Sequence, residues 1–318
     1  MAEEFADVGR GITLCYERFG DPADPPILLT MGLGTQMIAW HEDFCEELVE
    51  RGFHVIRFDN RDIGRSTHLK FPPPTVGQMI RRRFRPEQYT LSDMAEDTAR
   101  LIEELGLEPV HVVGVSMGGM IGQVLAADHP ELVRSLTSML STTGSRLHGQ
   151  PHHSILRYLL RPPPRDREGY VERSAEIFGL IGSTRFERDE AYVRERAARS
   201  YDRGFSRASG GRQLGAVLAT GNRTNLLRKI KAPTLVIHGT EDKMVRPSGG
   251  RATARAIPGA RLMMIEGMGH DLPRGAWPRI VDAIAIHARA ASGDNATPSG
   301  SERRSPERLV SGGGRSRA

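Results

Sequence analysis

Val110-His111-Val112-Val113-Gly114-Val115-Ser116-Met117-Gly118-Gly119 is the stretch whose reading decides the fold. An apolar run rich in β-branched residues ends at Gly114, as a buried strand does. Gly114 to Gly118 then spells G-x-S-x-G, and residues 120–129, rich in Ala, Leu, Gln and Met, read as a helix. Strand, sharp turn and helix is the setting in which this motif lifts a serine hydroxyl above the end of a sheet. A Cβ at Gly114 or Gly118 would crowd the close strand–helix approach. A helix beginning at Met117 would aim free N–H groups and the positive end of its dipole at Ser116. In a chain with 35 glycines the bare motif also arises by chance, and a Gly-rich turn with a capping serine is the plain alternative. The rest of the chain has to decide.

Working outward, the flanks alternate strand and helix. Upstream, residues 91–105 have the spacing of an amphipathic helix, with Met94, Thr98, Leu101 and Leu105 on one face, and Gly106 ends it. Before that come strand-like runs at 12–18, 26–31 and 53–58, with a helix expected over Ile38–Arg51 and an irregular Pro- and Arg-rich segment over Phe71–Tyr89. Downstream, 133–140, 234–239 and 261–265 read as strands. Residues 213–230, 248–256 and 277–290 read as helices. Buried strands alternating with helices predict an α/β fold with a mostly parallel sheet.

The gap between the strands at 133–140 and 234–239 is far longer than a crossover needs. It holds Pro162-Pro163-Pro164 and then Arg/Glu/Ala-rich helical segments at about 167–180 and 189–203. Tyr170, Phe178, Tyr192, Tyr201 and Phe205 argue against a disordered linker. The chain therefore divides into core 1–142, an inserted helical cap 143–211, core 212–291 and a basic tail 292–318, whose Ser/Gly/Pro/Arg composition predicts disorder.

Composition bounds the function. The 318 residues can bury a large core. The net charge is +5, but the last thirty residues hold six Arg against Asp294, Glu302 and Glu307 and so contribute +3, leaving a body of +2. No nucleic acid is expected as a partner. Cys15 and Cys45 fit no metal or redox spacing and read as free thiols in a reducing compartment, with one disulfide between them as the alternative. The acidic Met1–Arg10 has no apolar signal core, and no uncharged apolar run approaches the length of a membrane span, so a cytoplasmic location is the expectation.

Ser116, Asp242 and His270 share one address, the loop just past the C-terminal end of a predicted strand, which is where open α/β sheets form their sites. Their order is the one this strand–turn–helix architecture demands. A serine hydroxyl needs a base, an imidazole titrates near neutrality and can serve as one, and a carboxylate fixes its tautomer. Glu241 is the adjacent rival of Asp242. His287, inside the last helix, is the other downstream histidine, and His152-His153 lacks a third metal ligand at a sensible spacing. Two backbone donors should face the oxyanion, the N–H of Met117 and that of Leu33 in Gly32-Leu33-Gly34. Met31, Leu33, Met117, Met139, Met244 and Met268 fall at the same edge and would give an apolar, adaptable pocket.

Five separated segments, taken together, resemble the α/β-hydrolase superfamily over about residues 11–290. They are Met31-Gly32-Leu33-Gly34 with Trp40, His54 to Ser66, His111 to Gly118, Pro233 to Asp242, and Gly267-Met268-Gly269-His270. More narrowly the chain is similar to aclacinomycin methylesterase-type esterases. The resemblance implies a Ser-His-Asp triad at Ser116, His270 and Asp242, no cofactor, and a structural loop at Asp59, Arg61, Gly64 and Ser66 beside the site. It implies a carboxylic ester hydrolase whose small-molecule substrate is a methyl ester of an apolar or aromatic compound. The alternatives are the same triad acting on a lactone, a thioester, a carbon–carbon bond beside a ketone or in perhydrolysis, and a non-catalytic receptor that keeps the pocket.

Overall fold

The computed structural model describes residues 2–293 except 160 and 163. Eight strands form one sheet: β1 (Glu4–Asp7), β2 (Thr13–Phe19), β3 (Pro26–Thr30), β4 (His54–Phe58), β5 (Val110–Val115), β6 (Val133–Met139), β7 (Thr234–Gly239) and β8 (Arg261–Ile265). Their spatial order is β1-β2-β4-β3-β5-β6-β7-β8. β1–β2 and β2–β4 are antiparallel, and every pair from β4 to β8 is parallel. The helices are α1 (Glu42–Val49), α2 (Val76–Arg81), α3 (Leu91–Glu104), α4 (Met117–Asp128), α5 (His153–Leu159), α6 (Arg167–Ile181), α7 (Glu190–Gly204), α8 (Ser209–Thr220), α9 (Thr224–Leu227), α10 (Ser248–Ala256) and α11 (Trp277–Ser292).

The two-residue period of a strand sorts the core onto two faces. Ile27 and Leu29 of β3 pack with Phe44 and Leu48 of α1 and Ile280 and Ile284 of α11. Leu28, between them in sequence, packs on the other face with Leu101 of α3 and Ile121 of α4. All six residues of β5 are buried, as expected for a central parallel strand covered on both sides.

The structure differs from the sequence reading at several boundaries. The helix expected over 38–51 is split into a 3-10 turn at Met37–Ala39 and α1, because His41 has extended backbone and its Nδ1 caps α1 by accepting from Asp43 N at 3.0 Å. The segment 71–89 holds α2, started by a capping box in which Thr75 and Gln78 bond each other's backbone N–H. The helix expected over 213–230 breaks at Gly221, whose φ of 66° gives α8 and α9. Residue 211 lies inside α8, so the chain passes it without a break. β1, a short acidic edge strand, has no counterpart in the sequence reading. At the other end α11 runs through Ser292 and Gly293 caps it with φ 82°, at the first residues of the expected tail 292–318. From 294 on it lies outside the described residues. Among the described residues, no helix is long and apolar enough to cross a membrane.

Candidate active site

β3 and β5 lie side by side, with Thr30 opposite Gly114, so the loop after β3 lies against the turn after β5. That turn is tight. A Cβ on Gly114 would come within 2.3 Å of the Gly118 carbonyl oxygen, and one on Gly118 within 2.2 Å of the Thr30 oxygen. Only glycine permits this approach of strand, turn and helix. Ser116 stands between them at φ 56° and ψ −116°, a conformation that costs a non-glycine residue energy and persists only where the surroundings enforce it. The enforcement is visible. Ser116 N donates to Met139 O at 2.8 Å, Ser116 O accepts from Met120 N at 3.1 Å, and Ser141 Oγ donates to the same oxygen at 2.9 Å.

β7 and β8 deliver the other two side chains. Their end loops are pinned together, since Glu241 N donates to Met268 O at 3.0 Å. Asp242 is buried, and its Oδ1 accepts from Met244 N at 2.9 Å and Val245 N at 2.8 Å. Its Oδ2 lies 2.7 Å from His270 Nδ1, and His270 Nε2 lies 3.1 Å from Ser116 Oγ. The imidazole thus bridges the hydroxyl and the carboxylate. Burial opposes ionisation of Asp242, but His270 and His238 beside it outweigh that and hold the carboxyl below the ordinary carboxylate range. Asp242 is therefore charged at neutral pH and can fix Nδ1–H of His270, leaving Nε2 free to accept a proton.

The two rivals stand elsewhere. Glu241 turns outward, and its Oε2 accepts from Thr184 Oγ1 at 2.6 Å. His287 is buried in α11, with Nε2 3.2 Å from Leu136 O and Pro233 O. His152 and His153 stack on each other at 3.9 Å between ring centroids. His238 is a residue that the sequence reading missed. It is fully buried on β7, with Nε2 2.8 Å from Val245 O and 3.4 Å from Asp242 Oδ2. Its position four residues before Asp242 was the signal available, but within a strand it reads as ordinary core.

The Met117 and Leu33 N–H groups have no acceptor among the described residues. Gly34 N, by contrast, is taken by Gln213 Oε1 at 2.7 Å. Gly32 lies against Ser116, where an added Cβ would sit 3.2 Å from Ser116 Cβ. The N–H of Met117 opens α4 directly after Ser116, at the positive end of the helix dipole.

The loop at 59–66 is a buried charged scaffold. Asp59 accepts from Met37 N at 2.7 Å and Arg65 N at 3.0 Å, and pairs with Arg203 of α7 at 2.6 Å. Arg61 pairs with Asp97, Asp62 with Arg212 at 2.7 Å, and Ser66 Oγ donates to Asp59 O at 2.6 Å. This loop ties α7 and α8 to the sheet. Cys15 and Cys45 are unbonded and buried, and burial pushes both thiols up to about 12, which leaves them unreactive.

A cavity of about 1200 Å³ opens above Ser116 and His270, walled by α6, α7, α8 and the loops after β3, β7 and β8. Met31, Leu33, Met117 and Met244 line it, while Met139 and Met268 are fully buried core. A family profile described as alpha/beta hydrolase fold matches residues 25–273. The chain belongs to the α/β-hydrolase fold family. Rhodomycin D methylesterase DnrP of Streptomyces peucetius is 33% identical over 302 residues, covering 88% of this chain and 96% of that protein. Rhodomycin D methylesterase DauP of Streptomyces sp. (strain C5) is 32% identical with the same coverage of 88% and 96%. These relatives agree with the methylesterase resemblance drawn from the sequence. The solved structure of the enol-lactonase from Burkholderia xenovorans LB400 superposes with a TM-score of 0.65 at 22% identity, covering 91% of this chain and 100% of that one, which is a likeness of fold.

Proposed function

We propose that the protein is a serine hydrolase that cleaves a carboxylic ester through an acyl-enzyme. The observation that carries this reading is His270, whose two ring nitrogens lie 2.7 Å from Asp242 and 3.1 Å from Ser116. Ser116 Oγ attacks the ester carbonyl while His270 Nε2 takes its proton. The tetrahedral oxyanion is held by the Leu33 and Met117 N–H groups, and Asp242 stabilises the imidazolium. Collapse expels the alcohol, which takes the proton back from His270. Water then repeats the cycle on the acyl-enzyme and releases the acid.

The helices α5–α7 act as the cap over this centre. They supply an aromatic wall that, with the core methionines opposite, suits an apolar or aromatic acyl group, and a methyl ester is the substrate class that the two similar methylesterases support. The cap is also joined to the base, because His270 N donates to Ile181 O at 2.7 Å at the end of α6.

The test is turnover of short 4-nitrophenyl esters and of an aromatic methyl ester. Wild type turns over at least one of them, and Ser116→Ala lowers kcat by roughly 10⁴- to 10⁶-fold. Equal rates for the two proteins overturn the reading.

A further inference from the structure

We propose that Arg196 of α7 is a recognition site for an anionic oxygen, so that the esters this protein prefers carry a carboxylate at a distance from the scissile bond. The proposal rests on the ester-hydrolase reading and names the substrate class of the same cavity.

Arg196 lines the cavity from the cap side. Its guanidinium carbon lies 4.6 Å from the ring centroid of Phe178 and 5.7 Å from that of Tyr192. These aromatic faces attract a cation but bring no formal charge to balance it. Among the described residues no carboxylate lies within 4 Å of Arg196. The other cavity arginines are placed differently. Arg188 pairs with Glu190 and Arg274 with Asp43, while Arg173 bonds the backbone carbonyls of Arg161 and Pro162. Among the described residues Arg82 has no carboxylate partner either, but no aromatic ring lies beneath it. Asp271 faces the same space, yet it accepts from Ser183 Oγ at 2.6 Å and stands outside pairing distance.

Burial pulls Arg196 below the ordinary arginine range even though Tyr192, Tyr170 and the Asp271 charge act the other way, so its charge is only partly compensated. A partly compensated guanidinium on an aromatic wall is costly to the empty protein and is relieved by an anion. Its planar fork matches a carboxylate through two parallel N–H bonds. Because Arg196 stands on the cap and Ser116 on the core, one substrate has to reach both, which makes acyl-chain length the variable to scan.

The experiment compares kcat/KM for the 4-nitrophenyl monoesters of succinate, glutarate, adipate and suberate with 4-nitrophenyl esters of neutral acids of matching length. The readout is the anionic-to-neutral ratio. Wild type is expected to favour the anionic member roughly 10- to 100-fold at one chain length, and Arg196→Met to bring that ratio close to one. Arg196→Lys, which keeps the charge but loses the fork, retains an intermediate ratio. A wild-type ratio near one at every length, or a high ratio unchanged in Arg196→Met, overturns the proposal. If Arg196→Met does not fold, the wild-type ratio and Arg196→Lys decide. If neither ester class is turned over, the esterase reading falls by itself. Calorimetric titration of wild type with the same pairs then decides the inference, with tighter binding of the anionic member sustaining it and equal binding overturning it.

Discussion

The loops at the ends of β5, β7 and β8 and the helices α6 and α7 face one cavity, yet they are held in place by opposite means. The loops are fixed by close backbone approach and buried partners. Gly114 and Gly118 admit no side chain, Asp242 is inaccessible, and every lone pair of its carboxylate that matters has a donor. The helices are laced to each other mostly by half-exposed pairs such as Arg194 with Glu172, Arg167 with Asp202 and Arg161 with Glu176, and are anchored to the core at their ends, by Ile181 and by the buried Arg203–Asp59 pair. Such surface pairs contribute little to stability. A site of this kind separates its tasks. On the proposed function, the reacting groups are held at the end of the sheet, and selectivity is left to a wall that can be repacked without disturbing them.

Three changes break or sharpen that contrast, the largest first. Asp242→Asn keeps the shape but removes the charge and leaves His270 without its orienting acceptor, so kcat on a neutral ester falls about 10⁴-fold while the melting temperature stays within a few degrees. A loss below tenfold would put Asp242 outside the chemistry.

The second change concerns the strand beneath the elbow. His111 on β5 is buried against Ser135 Oγ at 2.8 Å, and burial holds it down to about 4. Its folded-state value lies below the unfolded 6.5, so the unfolded chain takes up a proton that the native chain refuses. Stability is then lost as pH falls from about 6.5 toward 4, by at most about 3 kcal/mol. His111→Gln removes this dependence, so the stability difference between wild type and variant in urea should narrow or reverse between pH 7 and 4.5. A constant difference across that range contradicts the assignment.

The smallest effect belongs to the cap surface. Arg194→Ala, which breaks the exposed pairs with Glu172 and Glu190, is expected to leave the denaturant midpoint nearly unchanged and neutral-ester turnover within about twofold. A larger loss would mean that the helices are held as tightly as the loops.

The same contrast explains what the sequence disclosed. The sheet, the turn at Ser116 and the positions of Asp242 and His270 are legible because steric demands write themselves as residue types. Glycines mark the close approaches, apolar runs mark buried strands, and polar residues cluster just past the strand ends. His238 was illegible because a buried histidine on a strand looks like any other core residue until its neighbour is known. Arg196 is one of several arginines in a charged helix, and only the fold shows that it faces the cavity with Phe178 beneath it. The break at Gly221 and the restart at His41 were missed because single caps and left-handed residues interrupt a helical pattern without changing its hydrophobic period.

The most direct measurement on the central claim is covalent capture with a fluorophosphonate, followed by peptide mapping. The account predicts one modified residue, Ser116, with labelling abolished in Ser116→Ala and slowed in Asp242→Asn. A folded wild-type protein that takes no label, or takes it at another residue, contradicts it.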